Sequence, residues 1–281
     1  MSKNIAASVK QKLLNYAKEN ERPFNEVLQY YVMERFLFRL SESSHKERFI
    51  LKGALMLRAW QSPELRPTMD IDMLGITDNE INNVISQIKD IVLNDTEPDG
   101  LLFDINTITA EEITEDADYS GIRVAMYAFL EKAKIKFHID IGFGDIVHPG
   151  YSEIKFPTLL KMQAPILLGY SKESAIAEKF QAMVKLGIIN SRMKDFYDIW
   201  LLSRQYDFDK DVLAEAIKLT FENRETDIPD EIVAFSDEFI IEKQIQWTAF
   251  RKRLSQEHIP EDFRVVVNTI REFLEPALKH S

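Results

Sequence analysis

The spacing of apolar residues divides the chain into a first half that mixes helices with strands and a second half that is almost wholly helical. Apolar side chains follow the period of an amphipathic helix in three segments, 5–18, 24–40 and 78–93. Strand-like runs occupy three later segments, 101–108, 121–130 and 133–141. Helical spacing returns from Ser171 onward. This order predicts an α+β fold, in which a small α/β core precedes a helical C-terminal bundle.

Short-range signals place the ends of these elements. Pro23 lies at the start of the second helix, and Thr77 or Asp78 is expected to cap the third. Residues 130–133 are predicted to form the hairpin turn between the last two strands. Three prolines indicate a soft boundary near residues 150–165.

Two alternating carboxylates, Asp70 and Asp72, interrupt an apolar run. On a strand, residues two apart share a face, so these carboxylates would lie together. Met69, Ile71 and Met73 would then bury the other face. Neighbouring carboxylates repel each other, and a bound divalent cation, Mg²⁺ or Mn²⁺, removes that cost. The pair indicates a metal-assisted phosphoryl or nucleotidyl transfer centre, and the alternative is a pair that caps a turn or faces solvent.

A glycine shortly before the carboxylates predicts a phosphate-binding helix start. Residues 50–60 suggest an apolar entry segment, a small-residue turn at Gly53 and Ala54, and a short helix. Gly53 permits close backbone approach, and a helix that begins there would direct N–H groups at an anion. Lys52 or Arg58 would add charge-assisted hydrogen bonds to a phosphate. The alternative is an ordinary buried helix with one packing glycine.

Four segments, taken in order, resemble one known family. They are Phe49-Ile50-Leu51-Lys52-Gly53-Ala54, Arg66-Pro67-Thr68-Met69-Asp70-Ile71-Asp72, Ile176-Ala177-Glu178-Lys179-Phe180-Gln181-Ala182 and Arg192-Met193-Lys194-Asp195-Phe196-Tyr197-Asp198. Together they resemble the AbiEii/AbiGii toxin family of nucleotidyltransferases, which includes the MenT toxins and falls within the DNA polymerase β-like superfamily. Each motif is weak alone, whereas the four in order are specific.

The resemblance implies a polymerase β-like mixed sheet with flanking helices. It suggests N-terminal helices that pack on the core (1–44), a nucleotidyltransferase core (45–160) and a helical C-terminal domain that contributes active-site residues (161–281). Many relatives carry a second small residue and a hydroxyl after the first glycine, where this chain has Ala54 and Leu55. The lost hydroxyl removes one possible phosphate hydrogen bond.

Asp140 is the expected third acid of the metal site. It shares a predicted strand face with His138, two residues before it. On a strand beside the carboxylate pair, Asp140 would complete a metal cage and orient or deprotonate an attacking hydroxyl. The superfamily commonly places a third acid there. The alternative is a half-exposed strand with a polar outer face. His138 is expected to be structural or solvent-facing, and Asp145 to be a turn residue.

The two later motifs supply the remaining candidates. The resemblance implies that Lys179 neutralises charge at the triphosphate and the leaving pyrophosphate. It also implies an active-site role for Asp198, with Asp195 either beside it or holding Lys179 by an ion pair. Arg192 and Lys194 are candidates for binding phosphate or an RNA backbone. The alternatives are a solvated lysine and a helix start whose acidic residues complement the helix dipole.

Composition limits the classes of protein to which the chain can belong. The chain of 281 residues has no cysteine, which excludes disulfides and thiolate metal sites. No apolar run approaches the length of a membrane span, and the N-terminus lacks a signal-peptide core, so we expect a cytoplasmic protein with no membrane partner. The formal net charge of −11 argues against broad non-specific nucleic-acid binding, although it leaves room for a local basic groove.

These observations favour a Mg²⁺-dependent nucleotidyltransferase that moves a nucleotide from a nucleoside triphosphate to an acceptor hydroxyl. The resemblance implies that the acceptor is an RNA such as the tRNA 3′ end. The resemblance implies the toxin of a type IV-like toxin–antitoxin or phage-defence system, with a separate antitoxin protein as partner. Two alternatives are a nucleotidyltransferase that acts on protein or small-molecule hydroxyls and a nucleotide-binding interaction module without turnover.

Overall fold

The computed structural model describes residues 2–62, 66–115, 119–254, 256 and 258–279. The chain divides into two units. The first unit comprises residues 1–144 and 152–169, and the second comprises residues 145–151 and 170–281.

Among the described residues, a seven-stranded mixed sheet forms the centre of the first unit. Its strands are β1 Phe49–Lys52, β2 Asp70–Gly75, β3 Leu101–Glu115, β4 Tyr119–Leu130, β5 Ala133–Phe143, β6 Ser152–Lys155 and β7 Ile166–Gly169. They lie in the order β3-β4-β5-β2-β1-β7-β6. The pairs β2–β5 and β1–β7 are parallel, and the other neighbours are antiparallel. The mixed sheet confirms the predicted fold class and sets the strand of Asp140 beside the carboxylate pair.

Helices cover one face of this sheet. They are α1 Ser2–Glu19, α2 Phe24–Ser41, α3 Leu55–Ala59 and α4 Ile81–Leu93. Leu13 of α1, Phe36 of α2 and Ile88 of α4 join Ile71 of β2 and Ile139 of β5 in one hydrophobic cluster. Because neighbouring side chains on a strand point to opposite faces, the polar residues beside Ile71 and Ile139 lie on the other face of the sheet.

Two local predictions in the first unit were wrong. Helix α4 begins at Ile81 with Glu80 at its N-cap position. Asp78 instead accepts a hydrogen bond from the Glu80 N–H at 3.1 Å, which closes a turn before the helix. Met69 precedes β2 and is 51% exposed, so it does not join Ile71 in the core. The predicted hairpin turn is confirmed, because Leu130 pairs with Ala133 across it.

The second unit is helical in its described part. Its helices are α5 Lys172–Leu186, α6 Met193–Gln205, α7 Lys210–Asn223, α8 Asp237–Leu254 and α9 Phe263–Leu278. Short 3₁₀ segments lie at Gly187–Ile189 and Val233–Phe235. Ser171 caps α5 by accepting a hydrogen bond from the Ser174 N–H, and Asp209 and Asp262 cap α7 and α9. None of the described helices is long and apolar enough to cross a bilayer.

Candidate functional site

Asp70 and Asp72, here called the carboxylate pair, lie on the polar face of β2. Ile71 between them is fully buried on the opposite face. The parallel register of β2 and β5 sets Asp70 opposite His138 and Asp72 opposite Asp140. The four polar side chains therefore share one face of the sheet. His138 Nδ1 lies 3.4 Å from Asp70 Oδ1, so this histidine contacts the pair directly.

Gly53 lies directly against Asp72. Its φ of +70° is in the left-handed region, and a Cβ on this residue would lie 1.9 Å from Asp72 Oδ2. Both constraints favour glycine at this position. The preceding residue, Lys52, pairs with Asp72 across β1 and β2, and its side chain is buried. The close approach predicted for Gly53 is therefore an approach to the carboxylate of Asp72.

The short helix after Gly53 differs from the predicted phosphate-binding arrangement in the position of Arg58. Ala54 is buried, and α3 runs for 5 residues from Leu55. Arg58 lies over the ring of Tyr30 on α2, with its guanidinium carbon 4.6 Å from the ring centroid. The structure thus brings Lys52 and Gly53 to the carboxylate pair and stacks Arg58 on α2.

Asp140 is bound by an arginine that the sequence reasoning missed. Arg123 of β4 donates from Nε to Asp140 Oδ1 at 2.8 Å and from Nη2 to Oδ2 at 2.6 Å. These hydrogen bonds raise the pKa of Arg123 above its already high value. The predicted hairpin turn would have been enough to predict this contact. Counting back from Leu130 and forward from Ala133 by equal steps pairs Arg123 with Asp140.

The carboxylate pair fits the needs of a magnesium ion. Mg²⁺ keeps several waters and takes one or two protein carboxylates together with substrate phosphates, so Asp70 and Asp72 are a sufficient protein ligand set. Across the described ranges, no three His, Cys, Asp or Glu side chains are arranged as a metal cage. Asp140 contacts Arg123 instead. Its role as a third metal ligand stays a prediction.

In the second unit four charged side chains meet, here called the Lys179 cluster: Lys179, Arg192, Asp195 and Asp198. Lys179 Nζ on α5 lies 3.1 Å from Asp195 and 2.9 Å from Asp198. The two carboxylates are three residues apart on α6 and so share a helix face, and both are buried. Arg192 Nε lies 2.6 Å from Asp195. Of the two arrangements considered for Asp195, the ion pair with Lys179 is present, and Asp198 takes part in it as well.

The cluster holds its charges in a low-dielectric interior. Burial by itself would raise the pKa of Asp195, but the charges of Lys179, Arg192 and Lys194 outweigh burial and lower it. Only 16% of the Lys179 side chain is exposed. Its ammonium is therefore oriented by two buried carboxylates, unlike that of a mobile surface lysine. Lys194 itself is exposed.

A second buried ion cluster surrounds Arg224 of the second unit. Arg224 Nη2 lies 2.8 Å from Asp145 and 3.5 Å from Glu178, and Nη1 donates to Gln181 Oε1 at 3.1 Å. Asp145, predicted as a turn residue, lies in the loop after β5, and its side chain is buried in this ion pair. Glu178 directly precedes Lys179, so Arg224 also fixes the helix that carries the Lys179 cluster. Asp145 and Arg224 are 79 residues apart, and no local pattern indicates their contact.

Comparison with known proteins relates the chain to nucleotidyltransferases. The family model described as nucleotidyl transferase AbiEii toxin, type IV toxin–antitoxin system, matches residues 35–269. The crystal structure of JHP933 from Helicobacter pylori is similar, with 14% sequence identity and a TM-score of 0.53 over 90% of this chain and 95% of that chain. A second H. pylori structure, assigned as a nucleotidyltransferase, has 13% identity and a TM-score of 0.52 over 91% and 97%. These two likenesses show the fold alone. No curated protein matches the sequence.

Proposed function

Because the chain belongs to the AbiEii family of nucleotidyl transferase toxins of type IV toxin–antitoxin systems, we propose that it transfers a nucleoside monophosphate from a nucleoside triphosphate to an RNA hydroxyl, such as that of a tRNA 3′ end. The observation that carries this proposal is the carboxylate pair seated against Gly53. A solvent-facing Asp pair would not require glycine at the position that one of its carboxylates approaches so closely.

The proposed reaction is an in-line displacement. The acceptor oxygen forms a bond to the α-phosphorus, the bond from that phosphorus to the oxygen bridging the β-phosphate breaks, and pyrophosphate and a proton are released. Asp70 and Asp72 would hold Mg²⁺ or Mn²⁺, which supplies charge neutralisation at the triphosphate when bound. Asp140, held by Arg123, would assist at the acceptor hydroxyl.

Lys179 is proposed to neutralise charge that develops on the leaving pyrophosphate. Its ion pairs with Asp195 and Asp198 support this role, because they fix the ammonium before substrate binds. The other proposed nucleotide contacts are Lys52, Gly53, Ala54, Arg192, Lys194 and Asp195. Arg58 would have to leave the Tyr30 ring to reach a phosphate.

The family further supports a toxin whose partner is a separate antitoxin protein. We propose a cytoplasmic site of action and a role in phage defence, in which modified RNA stops growth. Expression of the chain should then arrest growth, and Asp70→Asn should restore it.

The biochemical test is label transfer from each of the four α-labelled nucleoside triphosphates to total tRNA in the presence of magnesium. The wild type should label tRNA, and Asp70→Asn should reduce labelling by about 10²-fold or more. Asp230→Asn removes the same charge from an exposed loop of the second unit and should leave labelling unchanged. Thermal unfolding checks that both variants fold.

Two results would overturn the RNA proposal in different ways. Label that appears on protein, with none on RNA, would make protein the acceptor. Nucleotide binding without pyrophosphate release, under any acceptor, would identify a binding module without turnover.

A further inference from the structure

We propose that a strip of lysines and aromatic rings next to the carboxylate pair binds the acceptor as a single-stranded RNA end. The strip consists of Tyr127 and Phe129 on β4 and Lys134 and Lys136 on β5, and is called the Lys134 strip. The inference rests on the proposed function, which it deepens by giving the acceptor a binding surface. All of its residues belong to the first unit.

The strip continues the polar face that carries the carboxylate pair. Asp70 lies opposite His138 on β5, and alternate residues toward the start of β5 are Lys136 and Lys134. Because residues two apart on a strand share a face, both lysines follow His138 on the same side of the sheet. The strand rise places them about 7 and about 13 Å beyond His138. Each step is comparable to the length of one extended nucleotide, so successive phosphates would meet successive lysines.

Aromatic rings accompany the lysines along the strip. Tyr127 pairs with Lys136 and Phe129 pairs with Lys134 across the β4–β5 hairpin. Both rings are partly exposed, while both lysines are exposed. Lys134 Nζ lies 3.8 Å from the centroid of the Tyr127 ring, which shows that cation and ring form one surface. Cations that contact phosphates beside rings that stack on bases are the parts of a single-strand binding site.

The lysines of the strip also have a structural explanation, because lysines often protect the free edge of a sheet. The pairs between β2 and β5 begin at His138, so Lys134 and Lys136 pair with β4 alone among the described strands. The salt-slope test below distinguishes edge protection from RNA binding. Of the nearby acids, Glu131 pairs with Lys10 at 2.9 Å. Asp104 of β3, which pairs with Tyr127, keeps its charge while its Oδ1 accepts a hydrogen bond from the Asn106 N–H. The strip therefore sets two lysines beside one acid, in a chain of formal net charge −11.

Geometry favours a single strand over a duplex or a folded protein. A strand laid along β5 would bring its terminal ribose to His138 and the carboxylate pair, where the acceptor hydroxyl is needed. Its bases would turn toward Tyr127 and Phe129. A base-paired end has its bases stacked on each other and offers no free face to these rings.

The first test measures binding of a short 5′-labelled single-stranded RNA by fluorescence anisotropy, from about 50 to about 200 mM salt. Lys134→Gln with Lys136→Gln should lower the slope of log affinity against log salt by about 1.4, since each phosphate contact to a single strand contributes about 0.7. The matched control is Lys210→Gln with Lys218→Gln, which removes the same charge from α7 and should leave the slope unchanged. Tyr127→Leu should weaken binding by about tenfold at any salt concentration, through lost stacking.

The second test follows label transfer and distinguishes RNA binding by the Lys134 strip from catalysis of nucleotidyl transfer. The double lysine variant should raise the KM for RNA and leave the KM for the nucleoside triphosphate unchanged. An unchanged salt slope in that variant, with RNA labelling by the wild type intact, would refute RNA binding by the Lys134 strip. It would leave the proposed function unaffected. Transfer of label to protein alone, with no RNA binding by the wild type, would overturn both.

Discussion

Replacing Glu34 with glutamine should stabilise the first unit at neutral and alkaline pH. Glu34 lies on α2, and its Oε2 accepts a hydrogen bond from the Leu159 N–H at 2.6 Å. Its Oε1 is buried and has no hydrogen-bond partner in the described part of the chain. Burial raises the pKa of Glu34 to about 7, even though the Leu159 N–H, Arg35 and Arg58 oppose the shift.

The raised pKa makes folding depend on pH. The ordinary pKa of a glutamate is 4.5, so between that value and about 7 the folded chain keeps a proton that the unfolded chain has lost. The free energy of unfolding therefore falls as pH rises through this window. Because one pKa unit corresponds to about 1.4 kcal/mol, the cost of ionised Glu34 grows to about 3 kcal/mol above pH 7 and is absent below the ordinary value.

Glu34→Gln preserves the shape of the side chain and an oxygen for the Leu159 N–H, but it cannot ionise. Urea unfolding, followed by circular dichroism from about pH 5 to about pH 8, gives the free-energy difference between variant and wild type at each pH. That difference should move in favour of the variant by about 2.5 kcal/mol across the range. Glu42→Gln, at the exposed C-terminal end of the same helix, should show no comparable change.

A Glu34→Gln difference that stayed constant across this range would refute the reasoning. It would mean that Arg35 and Arg58 keep the carboxylate ionised throughout, so that their charges, and not burial, dominate at this position.

Two further substitutions test the candidate site. Gly53→Ala should cost about 1–3 kcal/mol of stability and lower label transfer, because it strains a left-handed residue and forces its methyl group onto Asp72; unchanged thermal unfolding would contradict the close approach. Asp195→Asn should cost about 3–5 kcal/mol near neutral pH, because Lys179 and Arg192 lose their buried counter-charge. Since the pKa of Asp195 is lowered on folding, that contribution is present above the ordinary value of 3.8 and is lost as pH falls through the folded value. Urea unfolding at neutral and strongly acidic pH should therefore show the deficit shrinking in acid, and a deficit independent of pH would contradict it.

Local periodicity was enough to predict most elements that carry the candidate site. Alternation placed Asp70 and Asp72 on one face of a strand, and the turn at residues 130–133 joined the last two long strands as expected. These features depend on neighbours within a few residues, which a single sequence displays. Errors fell at element ends, where one hydrogen bond to Asp78 or the exposure of Met69 moved a boundary.

What the sequence by itself determined about this protein is its fold class, its family motifs and the shared face of the carboxylate pair, because period and order are properties of the chain. Only the tertiary structure decided which charges meet. Arg123 holds Asp140 through strand register, and Arg224 reaches Asp145 across 79 residues. The raised pKa of Glu34 has the same origin, since burial depends on every element packed around a group and not on its neighbours in sequence.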